Sequence, residues 1–156
     1  WYDADLTAFA VFLGDRDLAR QVVETAKAKR VARQIEPNGS MPKELDRTKS
    51  LDYTLFNLQA LSHLATLGDR VGVDLWRYRT PDGRGMRKAL DYVVSYTTDD
   101  RPWPGEQITD PHLANLRTLL RRAAAAYGAR SYLDVLPKLA DHPDAPLDLL
   151  LYPPPG

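Results

Sequence analysis

The chain has 156 residues, 44% of them hydrophobic, with 21 lysines and arginines balancing 21 aspartates and glutamates. There is enough apolar material for one packed domain and no whole-chain charge to draw it onto nucleic acid or an acidic membrane, so a polyanion would have to be held by a local group of cations. The lack of cysteine excludes disulfides and thiolate metal sites while leaving the compartment open, and no run approaches the about 20 consecutive apolar residues of a membrane helix.

A soluble, globular protein is therefore expected. Trp1 stands where an initiating methionine would, and no signal-peptide pattern precedes it, so the chain is expected to begin inside a longer gene product.

Residues 2–14 read as a short helix, with Leu6, Phe9, Ala10 and Leu13 at spacings of three and four, Asp3 and Asp5 in the first turn, and Gly14 at the C-terminal stop. Asp15 is the expected N-cap of a second helix, whose stripe through Leu18, Ala19, Val22, Val23 and Ala26 runs to about Ile35. Its outer charges, Arg20, Glu24, Lys27 and Arg30, read as a solvated face.

Pro37-Asn38-Gly39-Ser40 and Pro42 then turn the chain, because proline fixes φ and Asn-Gly tolerates positive φ. A third helix, about 50–67, carries Leu51, Leu55, Phe56, Leu58, Leu61, Leu64, Ala65 and Leu67. Apolar on more than one face, it is expected to be an inner helix ended by Gly68-Asp69.

Loops at 72–76 and 80–85 precede a fourth helix from Met86 to Tyr96. Residues 99–108 cannot be regular helix, since Pro102, Pro104 and Gly105 surround Trp103. A fifth helix is expected from Asp110 as N-cap and Pro111 at the first position to Tyr127-Gly128, and a short sixth over 131–140. The tail at 147–152, followed by three prolines, reads as an extended strip. No alternating β pattern appears, so the fold class is all-α, packed as antiparallel helix pairs with identity between pairs too weak for a repeat array.

The loop at 34–49 delivers Glu44, Asp46, Arg47 and Tyr53 to the first turn of the third helix, forming a candidate site for an anionic or polyhydroxylated ligand. Arg47 offers a permanently charged fork suited to a carboxylate. Tyr53, three residues after Ser50 as a possible N-cap, lies where the positive helix end and an arginine favour phenolate, which makes it a conceivable proton shuttle. The competing reading is structural, with Glu44 pairing Arg47 across the loop and Tyr53 packed with its hydroxyl satisfied.

Elsewhere, His63 reads as a partnered imidazole on a leucine-rich helix, and His112 and His142 lack spaced acidic partners. No metal-ligand or nucleotide motif occurs, so no cofactor and no metal are expected. Trp1, Tyr2, Trp76 and Trp103 could line a sugar groove by stacking or serve as packing anchors.

As a string, Trp1-Tyr2-Asp3, the Phe-Leu-Gly-Asp at 12–15 and the run from Gln34 through Pro-Asn-Gly-Ser-Met-Pro-Lys-Glu-Leu-Asp-Arg-Thr-Lys-Ser-Leu-Asp-Tyr to Leu58 resemble the alginate lyase family. Gly-Val-Asp-Leu-Trp at 72–76, Arg87 to Tyr92 and Trp103-Pro104 fit the same pattern, so the likeness extends over at least residues 1–108.

The resemblance implies an (α/α) toroid with a deep sugar groove, in a periplasmic or secreted protein whose parent carries a signal peptide. It implies cleavage of an acidic polysaccharide, a polyuronate, by β-elimination without an obligatory metal. Arg47 would neutralise the uronate carboxylate and Tyr53 would exchange protons with C5 or the leaving oxygen, while Glu44, Trp1, Tyr2 and Trp103 would bind substrate.

The family's Asn-His pair would fall just ahead of the segment matching Trp1-Tyr2-Asp3. The expectation is therefore a single helical domain over 1–156 that forms the C-terminal portion of such a lyase. The alternatives are a non-catalytic carbohydrate-binding domain and a purely structural helical one. Neither nucleic acid nor membrane is an expected partner, and oligomeric state is not legible.

Overall fold

A computed structural model describes residues 1–98, 101–139 and 150–151. Among them the chain is helical, with one isolated antiparallel bridge between Lys49 and Gln107. Helix α1 spans Tyr2–Phe12 and α2 spans Arg16–Ala26; α2 continues through a π-helical turn, Lys27–Val31, into α3, Ala32–Gln34. A short α4, Pro42–Leu45, leads to the 21-residue α5, Ser50–Arg70, followed by α6, Met86–Thr98, α7, Ala114–Tyr127, and a 3-10 segment, Arg130–Leu139.

Contacts along the elements fix their directions. Arg16 donates to the Arg70 carbonyl at 2.8 Å and Gln34 accepts from Asn57 at 3.2 Å, so α2 and α3 run antiparallel to α5. Along α7, His112 just ahead of it meets Asp52 and Arg122 meets Ser62, so α7 runs parallel to α5.

Helix α5 is the inner helix its leucines predict: Leu51, Leu55, Leu58, Leu61, Leu64 and Ala65 are buried against Val23, Ala26, Val31 and Ile35 on one side and Leu116, Leu119, Leu120 and Ala123 on another. Phe56 departs from that stripe and is 51% exposed.

Several local expectations are corrected. In α1 the buried residues are Ala4, Thr7 and Ala10, whereas Phe9 and Leu13 stand exposed beside Phe12. Small side chains let α1 approach its neighbours closely, and periodicity alone could not say which of two apolar faces would be covered.

Gly68 does not end α5. A Cβ there would meet the Val73 carbonyl oxygen at 2.6 Å and Val23 Cγ1 at 3.0 Å, so glycine is required for close approach, and the positive φ falls at Gly72. Helix α7 starts at Ala114 rather than after Asp110; ahead of it the Asp52 carboxylate takes the His112 N–H, tying that residue to α5. The segment at 130–139 is 3-10, with Pro137 inside it. Asp15 caps α2 as expected, accepting from the Leu18 N–H at 3.0 Å. The expected strip at 147–152 lies outside the described residues except for Leu150 and Leu151, which are exposed.

Candidate active site at the start of α5

The turn that delivers the site closes on itself. Gly39, at φ +95°, donates to the Glu36 carbonyl at 2.8 Å, the Asn38 side chain accepts from Ser40 N–H at 2.9 Å, and Glu36 N–H reaches back to the Ser40 carbonyl. Gly39 also lies against the Lys88 carbonyl and Tyr92 of α6, where no Cβ fits. Pro42 at the first position starts α4, whose end releases Asp46 and Arg47 toward α5.

The N-cap of α5 is Lys49, not Ser50, and no side chain of the helix itself caps it. Its first N–H groups are satisfied from the segment after α6: Ser50 N–H donates to the Glu106 carbonyl at 2.9 Å and Leu51 N–H to Gln107 Oε1 at 3.1 Å. Ser50 Oγ is turned the same way, donating to Glu106 and accepting the Trp103 indole N–H at 2.7 Å, which is why it does not cap the helix. Strapping 103–107 to this end holds the first turn of α5 in place.

Arg47 and Tyr53 meet there. The guanidinium lies over the phenol ring, 4.1 Å from its centroid, with Arg47 exposed and Tyr53 half-buried. A cation stacked on an aromatic face is held in position yet keeps its N–H donors at the edge, free for a carboxylate.

Glu44 does not pair with Arg47. Its carboxylate accepts from Asn57 Nδ2 at 3.0 Å, and the same amide reaches Gln34 Oε1 at 3.2 Å. The loop clamp of the structural reading is thus replaced by a Glu44–Asn57–Gln34 network joining α4, α5 and α3. Asn57 was not singled out from sequence, although its position one turn after Tyr53 on the same helix was the available signal.

The aromatic candidates separate into three places. Trp1 packs on Phe56 and His63 at 5.2 and 5.4 Å, beside the 72%-exposed Tyr2, and with Asn57 and Gln34 both line a cavity of about 170 Å³. Trp103 stands at the other flank, edge-on to Tyr92 and Tyr96. Trp76 is buried, edge-on to Tyr127.

His63 is half-buried; burial first, then the Arg122 charge, hold its imidazole below the ordinary value against the opposing pull of Asp5. Asp52 is paired after all with a residue 60 positions away: His112 donates its backbone N–H at 2.8 Å and presents Nδ1 at 3.2 Å, and Gln107 adds a further bond. Burial opposes the charged carboxylate, but these hydrogen bonds outweigh it and hold Asp52 below its usual range. His142 lies outside the described residues. No group of three or more His, Cys, Asp or Glu side chains converges as a metal site among the described residues.

The arrangement sets an exposed guanidinium, a donor fork of the kind that suits an anion, on a phenol ring at a firmly held helix end. A family model described as alginate lyase matches residues 1–103. Among solved structures, an alginate lyase from Bacteroides ovatus superposes with a TM-score of 0.84 at 31% identity, covering 97% of this chain and 40% of that one. No curated protein sequence matches. The chain thus spans less than half the length of the lyase it resembles, and its antiparallel helix pairs correspond to part of an (α/α) toroid.

Proposed function

The chain belongs to the alginate lyase family, and from that premise we propose that it is part of a polysaccharide lyase that cleaves alginate or a related polyuronate by β-elimination. The observation that carries this reading is the Arg47 guanidinium stacked on the Tyr53 ring at 4.1 Å, inside the stretch that the family model matches.

In such a reaction the C5–H bond breaks, its electron pair forms the C4–C5 double bond, and the C4–O bond to the neighbouring sugar breaks. The difficulty is the negative charge that spreads from C5 into the carboxylate as the proton leaves. Arg47, at the uronate carboxylate, compensates that charge and so acidifies the C5 proton. Tyr53 exchanges a proton with C5 or with the departing glycosidic oxygen.

Glu44, Asn57 and Gln34 position this end of α5, and Trp1 with Tyr2 offers stacking surface at the cavity lined by Asn57. A periplasmic or secreted location follows from a polymeric substrate, and no helix among the described residues is long and apolar enough to cross a membrane.

The test is the ultraviolet absorbance of the unsaturated uronate product, followed with the full-length gene product on poly-mannuronate and related polyuronates. A rise that is lost in Arg47→Ala and Tyr53→Phe supports the proposal. Binding of polyuronate without product would favour a non-catalytic carbohydrate-binding role, and neither binding nor product would favour a purely structural one.

A further inference from the structure

Away from Arg47 and Tyr53, two clefts of about 520 and 400 Å³ lie end to end along α6, sharing Lys88 and Asp91. They share no lining residue with the Arg47–Tyr53 pair. Each volume falls within the ~300–1,000 Å³ of small-ligand sites.

The charge in them is lopsided. Both carboxylates are already engaged: Asp82 by Arg84 at 2.8 Å, and Asp91 by the Tyr132 hydroxyl at 2.7 Å. Arg79 and Lys88 line the clefts with no ion-pair partner among the described residues, and Arg87 is held only against the Tyr127 ring at 5.3 Å. In a chain of zero formal net charge, Arg79, Arg87 and Lys88 outnumber Asp91, whose charge the neutral Tyr132 hydroxyl does not cancel, so the concavity is positive locally rather than through overall basicity.

Aromatic rings accompany the cations throughout. Tyr78 and Tyr127 line the first cleft, and Tyr92 and Tyr96 the second, where Arg101 lies over the Tyr96 ring at 4.4 Å. Alternating flat apolar faces with guanidinium forks suits a chain of sugar rings that bear carboxylates. The second cleft also ends next to the candidate active site: Tyr96 packs on Trp103 at 5.6 Å, and Trp103 is bonded to Ser50 at the start of α5.

We propose that these clefts form a second, non-catalytic binding track for an acidic polysaccharide, which holds polymer along α6 and feeds the start of α5. The ligand class rests on the lyase reading, but the residues involved are different, so the two can fail separately.

Affinity electrophoresis of the full-length gene product in gels carrying polyuronate tests it, with a neutral polysaccharide gel as reference and Tyr53→Phe present in every protein to limit turnover. The combined variant Arg79→Ala/Lys88→Ala should bind roughly five- to tenfold more weakly. An equal charge loss at two exposed arginines that line neither cleft, Arg20→Ala/Arg33→Ala, should leave retardation unchanged, and Arg79→Lys/Lys88→Arg should retain it. Matching circular dichroism melts would exclude unfolding, since both side chains are exposed.

No loss in Arg79→Ala/Lys88→Ala, an equal loss in the control pair, or no retardation of the parent would each overturn the track. Loss confined to Arg79→Ala/Lys88→Ala, together with no unsaturated product from the protein that retains Tyr53, would uphold the track and sink the lyase reading. Product formation with retardation indifferent to Arg79 and Lys88 would do the reverse.

Discussion

At the scale of single residues, one cation and one phenol bear the proposed chemistry. Arg47→Ala should lower kcat on a polyuronate by about 10²–10³-fold, the usual loss when a group stabilising transition-state charge is removed. Tyr53→Phe should cost about 10²–10⁴-fold through lost proton transfer. Both variants should fold, because Arg47 is exposed and phenylalanine keeps the packing of the half-buried ring, and thermal melts alongside the kinetics check this.

Stability should carry its own pH signature. The folded state lowers the His63 imidazole, so the unfolded chain takes up that proton first as pH falls below about 6.5. Stability is therefore lost with acidification through that window until the lower folded value is reached. Melting temperature measured between pH 7 and 5 should fall less steeply in His63→Gln than in the parent, and equal slopes would contradict the assignment. Asp52 acts in the same direction but lower, its stabilising contribution being present above about 3.8 and lost as pH drops through its depressed folded value.

At the scale of elements, the site depends on how tightly α5 is gripped at its two ends. Near its C-terminal end, Gly68→Ala drives a Cβ into the Val73 carbonyl, a backbone atom that cannot swing aside. It should destabilise by about 1–3 kcal/mol, at about 2–4 °C of melting temperature per kcal/mol. At the N-terminal end, Trp103→Phe keeps the aromatic contacts with Tyr92 and Tyr96 but removes the N–H that Ser50 accepts. A loss of about 1 kcal/mol is expected, with a larger proportional fall in kcat because the first turn of α5 loosens. Unchanged turnover in Trp103→Phe would mean that the strap is dispensable.

At the scale of the whole molecule, sequence and structure agree where the signal is local. The leucines of α5 announced an inner helix, and Pro37, Gly39 and Pro42 announced the turn that feeds it, because periodicity and backbone restriction act over a few residues. What was illegible is joined across the chain. Asp52 meets His112 60 positions away, Ser50 meets Trp103 53 away, and Glu44 finds Asn57 instead of its near neighbour Arg47.

The exposed Phe9, Phe12 and Leu13 of α1 fall between these cases: their hydrophobicity was plain, but which face of α1 the neighbours would cover is decided by packing. The clefts along α6 were also beyond reach, since their walls join α6 to residues of 76–85 and Tyr127 in one and to Asn38 and Arg101 in the other, positions far apart in sequence.

Arg47 and Tyr53 are proposed to act together on the uronate unit. The most direct measurement is unsaturated-product formation from poly-mannuronate by the full-length protein, its Arg47→Ala and Tyr53→Phe variants, and the double variant. A clear rate is expected for the parent, with a loss in the double variant well short of the product of the two single losses, as for groups that work as a unit. No product from the parent, or full activity in either single variant, would contradict it.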